Sequence, residues 1–190
     1  MPSGRPPKKR RPGRGRKPAG AGPSGWRVAQ RDERGWAFVA PMSVTDRADD
    51  IDEVRQMIDG GEPEIAADEL RWLLAECPDH MAAHALLGEL AAAENDLQLA
   101  RAHFGYAFQI GDKTLNATRC PGPMPGADPR NAAWHDAALG LAWALEEQGD
   151  AKMADDVCAK AIKMDPADPA GIRAMLDELR SGGLPMATLG

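Results

Sequence analysis

The chain has 190 residues, 23 basic and 29 acidic side chains, 43% hydrophobic residues and a net charge of −6; the length suits one domain with tails, and the apolar content excludes a wholly disordered chain. No apolar run approaches the roughly 18–20 residues of a membrane helix, and no apolar stretch follows the Lys and Arg at the N-terminus, so neither a membrane anchor nor a secretory leader is expected. Three cysteines, at 77, 120 and 158, supply neither a disulfide framework nor a paired zinc motif.

The charge is divided along the chain. Residues 1–35 hold 11 Lys/Arg and 2 acids, a net +9, whereas 36–190 hold 12 and 27, a net −15. Apart from Met1, residues 1–25 are Gly, Pro, Ser, Ala, Lys and Arg, which bury nothing and leave the entropy of ordering uncompensated. Residues 1–35 are therefore expected to form a disordered basic arm. The run Gly35 to Pro41 is apolar and closed by Pro. It reads either as an extended strap over 36–46, laying Trp36 and Phe38 against the domain, or as a loose linker.

From Thr45 the hydrophobic period becomes helical. A first helix runs near Asp46 to Asp59 on Ile51, Val54, Met57 and Ile58, and stops at Gly60-Gly61. A second starts at Pro63, a good first-turn residue, and runs to Glu76 before Pro78. A third is expected to be capped by Asp79 and carries Leu86, Leu87 and Leu90. A fourth follows the Asn95-Asp96 turn, carries Phe104 and Phe108, and is expected to end at Gly111. The fifth begins at Asp128-Pro129 and reaches Gln148; the sixth covers about Asp150 to Met164; the seventh starts at Asp168-Pro169 and ends at Gly182-Gly183, leaving 182–190 as a tail. No strand pattern appears between them. The body reads as all-α, with antiparallel neighbours joined by short turns.

An internal period of 34 residues runs through these helices. Glu62 recurs as Asp96 and Pro78 as Asp112; Ala66 recurs as Ala100 and Leu70 as Phe104. The unit 81–114 carries Leu87, Gly88, Asn95-Asp96, Ala100, Phe104 and Ala107. The unit 135–168 carries Leu141, Ala142, Gly149-Asp150, Ala154, Ala161 and Pro166. This spacing resembles the tetratricopeptide repeat family over 47–80, 81–114 and 135–168. The fourth position of the pattern, usually Trp, is here Asp50, His84 and Ala138. The resemblance implies an all-α, right-handed α-solenoid of three helix-turn-helix repeats over 47–180, with 169–181 as a capping helix and 115–134 as an insertion. Small residues let paired helices approach, and stacked repeats close one continuous core.

The resemblance also implies a concave groove lined by the first helix of each pair. Its positions fall on Arg55 in the first repeat, Ala85 and Glu89 in the second, and Asp136, Leu139, Trp143, Glu146 and Glu147 in the third. Ala85 and Glu89 stand where family members that grip an acidic carboxylate carry Lys or Asn. The expected ligand is therefore a basic or apolar protein segment. The Pro/Gly-rich insertion, with Met124, is read either as a recognition loop over this face or as a tolerated insertion.

Nothing in the sequence supports catalysis: it has no nucleophile elbow, phosphate loop or H-E-x-x-H helix. Cys77, His80 and His84 share a C-x2-H-x3-H spacing without a fourth ligand, and neither a metal nor a cofactor is expected. His103 and His135 are expected on helix surfaces and Cys158 in the core. Cys120 is read as an exposed thiol whose neighbour Arg119 lowers its pKa.

The arm supplies the alternative function. Lys8, Lys9, Arg10, Arg11, Arg14, Arg16 and Lys17 form an acid-free cluster suited to phosphate contact. Arg14-Gly15-Arg16 looks like the core of an AT-hook, although Lys17 intervenes before Pro18. The sequence thus leads to a non-enzymatic cytoplasmic scaffold that binds protein or peptide. The alternative is an adaptor that holds DNA or RNA through the arm, at a nucleus or nucleoid. A third reading docks the +9 arm on the −15 body.

Overall fold

The computed structural model describes residues 25–32 and 35–182. Strands β1 (Arg27–Asp32) and β2 (Gly35–Val39) precede eight helices among these residues: α1 (Met42–Thr45), α2 (Ala48–Asp59), α3 (Pro63–Glu76), α4 (Met81–Ala93), α5 (Leu97–Thr118), α6 (Pro129–Glu147), α7 (Ala151–Met164) and α8 (Ile172–Arg180). The body is helical, as its hydrophobic period requires.

The N-terminal edge departs from the all-α expectation. Residues 27–32 and 35–39, read as the end of a disordered arm and an extended strap, pair as antiparallel strands with Val28 opposite Phe38 and Gln30 opposite Trp36. β1 (RVAQRD) has too little alternation to announce a strand. A lone two-stranded ribbon is also marginal in water, so its pairing depends on what lies beneath it. Here that is a buried aromatic row: Trp26 meets Phe38 edge-on with ring centroids 6.2 Å apart, and Phe38 meets Trp134 at 6.1 Å. Gly35, at φ +147°, turns the chain where an added Cβ would come within 2.7 Å of the Pro123 carbonyl oxygen.

The helix ends follow local chemistry, with three corrections. Asp96 accepts from the Leu99 N–H and Asp128 from the Arg130 N–H, both as N-caps. α4 is capped by His80, whose Nδ1 accepts from the Ala83 N–H at 3.3 Å, and not by Asp79. α5 passes through Gly111 to Thr118, because Gly111 is where the Trp134 indole packs. α8 begins at Ile172; Asp168 still caps it, accepting from the N–H groups of Ile172 and Arg173 at 3.0 Å each.

Consecutive helices from α2 to α7 pack on one another, α4 also packs on α6, and α8 packs on α6. Gly88 against Phe104 and His84 against Tyr106 set α4 and α5 antiparallel. Gly105 against Leu141 and Phe108 against Trp134 do the same for α5 and α6. Two apolar clusters result. One joins the hairpin to α4, α5, α6, α7 and α8 around Phe104, Trp134 and Leu145. The other lies between α2, α3 and the opposite side of α4, around Val54, Leu70 and Leu87.

Only residues 119–128 of the insertion are irregular. The Met124 N–H donates to the Met164 carbonyl at 2.7 Å, the Gly126 N–H donates to Asp165 Oδ2 at 2.7 Å, and Met124 is fully buried. The loop is thereby folded against the start of α6 and the end of α7.

Candidate functional site

Helix α6 is buried almost all round. Trp134, Ala137, Ala138, Leu141, Ala144 and Leu145 are inaccessible or nearly so. Its open residues are spaced i, i+3, i+7 and i+11: Asp136, Leu139, Trp143 and Glu147 form one stripe along the helix. Leu139 and Trp143 are half-buried, and Asp136 and Glu147 are exposed. On α4 the corresponding open residues are Ala82, Glu89 and Ala93, with Ala82 and Glu89 half-buried, while Ala85 between them is buried.

The two sets of residues lie close together, since α4 packs on α6 and the charge of Asp136 reaches Glu89. Burial raises the Glu89 carboxyl from 4.5 to about 7; Asp136 pushes it further up and Arg55 pulls it down. Burial likewise raises Asp136, against the opposing influence of His135 and Arg55. Arg55, on α2, is exposed and pairs with Asp52 at 3.1 Å. Arg55, Glu89 and Asp136 thus lie near enough to influence one another, with Glu89 half-buried and Asp136 and Arg55 exposed.

Two of the expected groove residues are not free for a ligand. Ala85 is only 3% exposed, because its side of α4 joins the cluster around Trp26 and Phe38. Glu146 forms a two-pronged ion pair with Arg180 of α8, at 3.0 and 2.8 Å, so it fastens the last helix. Arg55, Glu89, Leu139, Trp143 and Glu147 remain accessible in part or in full.

The remaining candidates settle into structural roles. Cys77, His80 and His84 do not converge: the Cys77 thiol lies 3.9 Å from the Ser43 hydroxyl, His80 caps α4, and His84 turns to α5. Among the described residues, no three His, Cys, Asp or Glu side chains are grouped to hold a metal. The surface position expected for His135 is corrected: it is 3% exposed, and its Nε2 bonds the Met124 carbonyl at 2.8 Å. Cys120 is corrected as well. Burial pushes its thiol pKa up, and its sulfur faces Met124 at 3.8 Å. Cys158 is buried. The seven arm cations, Lys8 through Lys17, lie outside the described residues.

The α3–α4 turn is a junction that the sequence did not announce. The Trp26 indole N–H donates to the Asp79 carbonyl at 2.9 Å, and the Tyr106 hydroxyl donates to the Asp79 carboxylate at 3.1 Å. His84 bonds the Pro78 carbonyl through Nε2 and His103 through Nδ1, each at 3.0 Å. A single tautomer set satisfies this chain: Nε2–H on His84 donates to Pro78, and Nδ1–H on His103 donates to His84. Burial lowers the pKa of both rings, and takes His80 from 6.5 to about 4.

Among the described residues, no helix is long and apolar enough to cross a membrane. No family model, curated protein or solved structure matches the chain.

Proposed function

We propose that this protein is a non-enzymatic interaction scaffold of the tetratricopeptide type. In this reading α2/α3, α4/α5 and α6/α7 are its three repeats and α8 is its cap. The face made by α2, α4 and α6 is the groove that takes a basic or apolar protein segment. The observation that carries the reading is the stripe Asp136, Leu139, Trp143 and Glu147, the open side of an otherwise buried helix, set against Glu89. A half-buried Trp supplies the apolar contact that anchors interfaces. The half-buried Glu89 carboxyl, with the exposed Asp136 and Glu147 beside it, favours a cationic partner and penalises an anionic one. The Phe104 ring, held between Gly88 and Gly140, supports the repeat assignment, since close approach at small residues is how such pairs stack.

The test is selection of twelve-residue display peptides on the full chain, repeated with Trp143→Ala/Glu147→Lys. Selected peptides are expected to carry net positive charge or apolar residues, and to lose about tenfold or more in affinity on the double variant. They should bind a Lys113→Glu control, changed on an exposed residue of α5, as well as wild type. Acidic selected peptides, or equal binding to all three proteins, would show that the groove assignment is wrong.

A further inference from the structure

We infer that the occupant of the α2/α4/α6 face, in the absence of a partner, is the chain's own basic arm, residues 5–18. The inference rests on the groove reading above and names the ligand for it. Three observations lead to it.

The first is charge. The face presents Glu89, Asp136 and Glu147, and Arg55, the described cation that acts on both Glu89 and Asp136, is already paired to Asp52. Residues 5–18 hold eight Lys/Arg and no acid. A half-buried carboxyl group such as Glu89 is stabilised by a cation delivered beside it, and the exposed Asp136 and Glu147 add attraction at longer range. Arginine suits the task because its guanidinium is weakly hydrated and also stacks on an indole such as Trp143.

The second is where the described chain begins. Trp26 is pinned by its indole N–H to the Asp79 carbonyl, immediately before α4, the central groove helix. Glu89 lies eight residues beyond Met81, about 12 Å along the helix axis. Lys17 precedes Gly25 by eight residues, which reach up to about 26–29 Å when extended. The extended length of this connection exceeds the axial distance from the Trp26 anchor to Glu89.

The third is tethering. A short covalent tether presents its end at an effective concentration of the order of millimolar. A weak electrostatic contact is then mostly formed within one molecule, and an incoming ligand must displace it.

The experiment uses the full chain with a photo-crosslinking residue at position 13 (Gly13→p-benzoylphenylalanine), irradiated at low salt and at about 0.5 M NaCl, where charge attraction is screened within about 3–5 Å. Cross-links within one chain are expected to map to 82–93 and 136–147, and to fall about tenfold in high salt and in Glu89→Gln/Asp136→Asn. Cross-links on any other face, or only between chains, overturn the inference.

A second arm of the experiment separates this inference from the groove reading. A labelled peptide of residues 5–18 is titrated into wild type and into a variant whose seven cations in 8–17 are replaced by Gln. Binding at least about tenfold tighter to the variant supports the inference, because the resident arm competes in wild type. Equal binding to both overturns the inference and leaves the groove reading standing. Absence of binding to either protein overturns both.

Discussion

The Asn131 side-chain oxygen accepts the Phe38 backbone N–H at 3.1 Å, and the two residues are 93 apart in sequence. The same amide donates to the Trp36 and Pro125 carbonyls at 3.0 Å each. One fully buried side chain at the start of α6 thus holds the hairpin and the Pro/Gly loop together. No surface feature of the sequence marks it.

Asn131→Ala should therefore be severe. It strands one backbone donor and two acceptors in the interior, and each buried polar group left unpaired costs about 1–3 kcal/mol. We expect a loss of about 3 kcal/mol in urea unfolding, with faster hydrogen exchange at the Phe38 amide. A loss under about 1 kcal/mol with unchanged Phe38 protection would mean that the hairpin is held by aromatic packing alone.

The ring of Phe104 fills the space that Gly88 and Gly140 leave open. An added Cβ would come within 2.6 Å of the ring at Gly88 and within 2.4 Å at Gly140. In an exposed helix Gly→Ala gains about 1 kcal/mol. At Gly140 overpacking should reverse the sign and cost about 2 kcal/mol. Phe104→Leu in the Gly140→Ala background should recover part of this loss, because the clash is with the ring. Additive destabilisation in the double variant would contradict that account.

Acid should weaken the fold through His80, His84 and His103, all held below the usual imidazole value by burial. A depressed imidazole pKa means that the unfolded chain binds more protons. This contribution is full above pH 6.5 and is lost as pH falls, down to about 4 for His80. His80→Asn keeps an N-cap acceptor and removes the titration. Its stability at pH 5, relative to pH 7.5, should exceed that of wild type by about 1–2 kcal/mol. An unchanged difference would exclude His80 as a source of acid sensitivity.

Glu89 acts with the opposite sign. Its raised pKa means that the folded chain holds the proton more tightly, so its contribution is present below 4.5 and lost as pH rises through about 7. Glu89→Gln should stabilise the protein at pH 8 by up to about 3 kcal/mol, at 1.36 kcal/mol per pKa unit, and change little at pH 4.5. Urea denaturation at the two pH values tests this directly. Equal effects at both would show that packing, not charge, governs the position.

The helical body was legible because each segment carries its own signal. Pro63, Asp96, Asp128-Pro129 and Gly182 mark ends, and the apolar spacing between them sets the faces. The family resemblance, and not the spacing alone, pointed to Glu89, Leu139, Trp143 and Glu147, which the structure leaves partly or fully accessible on α4 and α6. Where those faces meet other parts of the chain, spacing is silent. The sequence put Gly111 at a helix end because it has no means of showing that Trp134 packs there. It put His135 on a surface because the covering loop comes from elsewhere. It offered Ala85 and Glu146 to a ligand, although Trp26 and Phe38 extend the cluster that buries one and Arg180 occupies the other. The hairpin is the largest such case, since β1 has little alternation of its own and becomes a strand only on the aromatic row and the Asn131 amide. Periodicity and capping are local and survive in one dimension. Burial, pairing and the sharing of charge between Glu89 and Asp136 depend on distances between remote segments, and only the tertiary structure decides those.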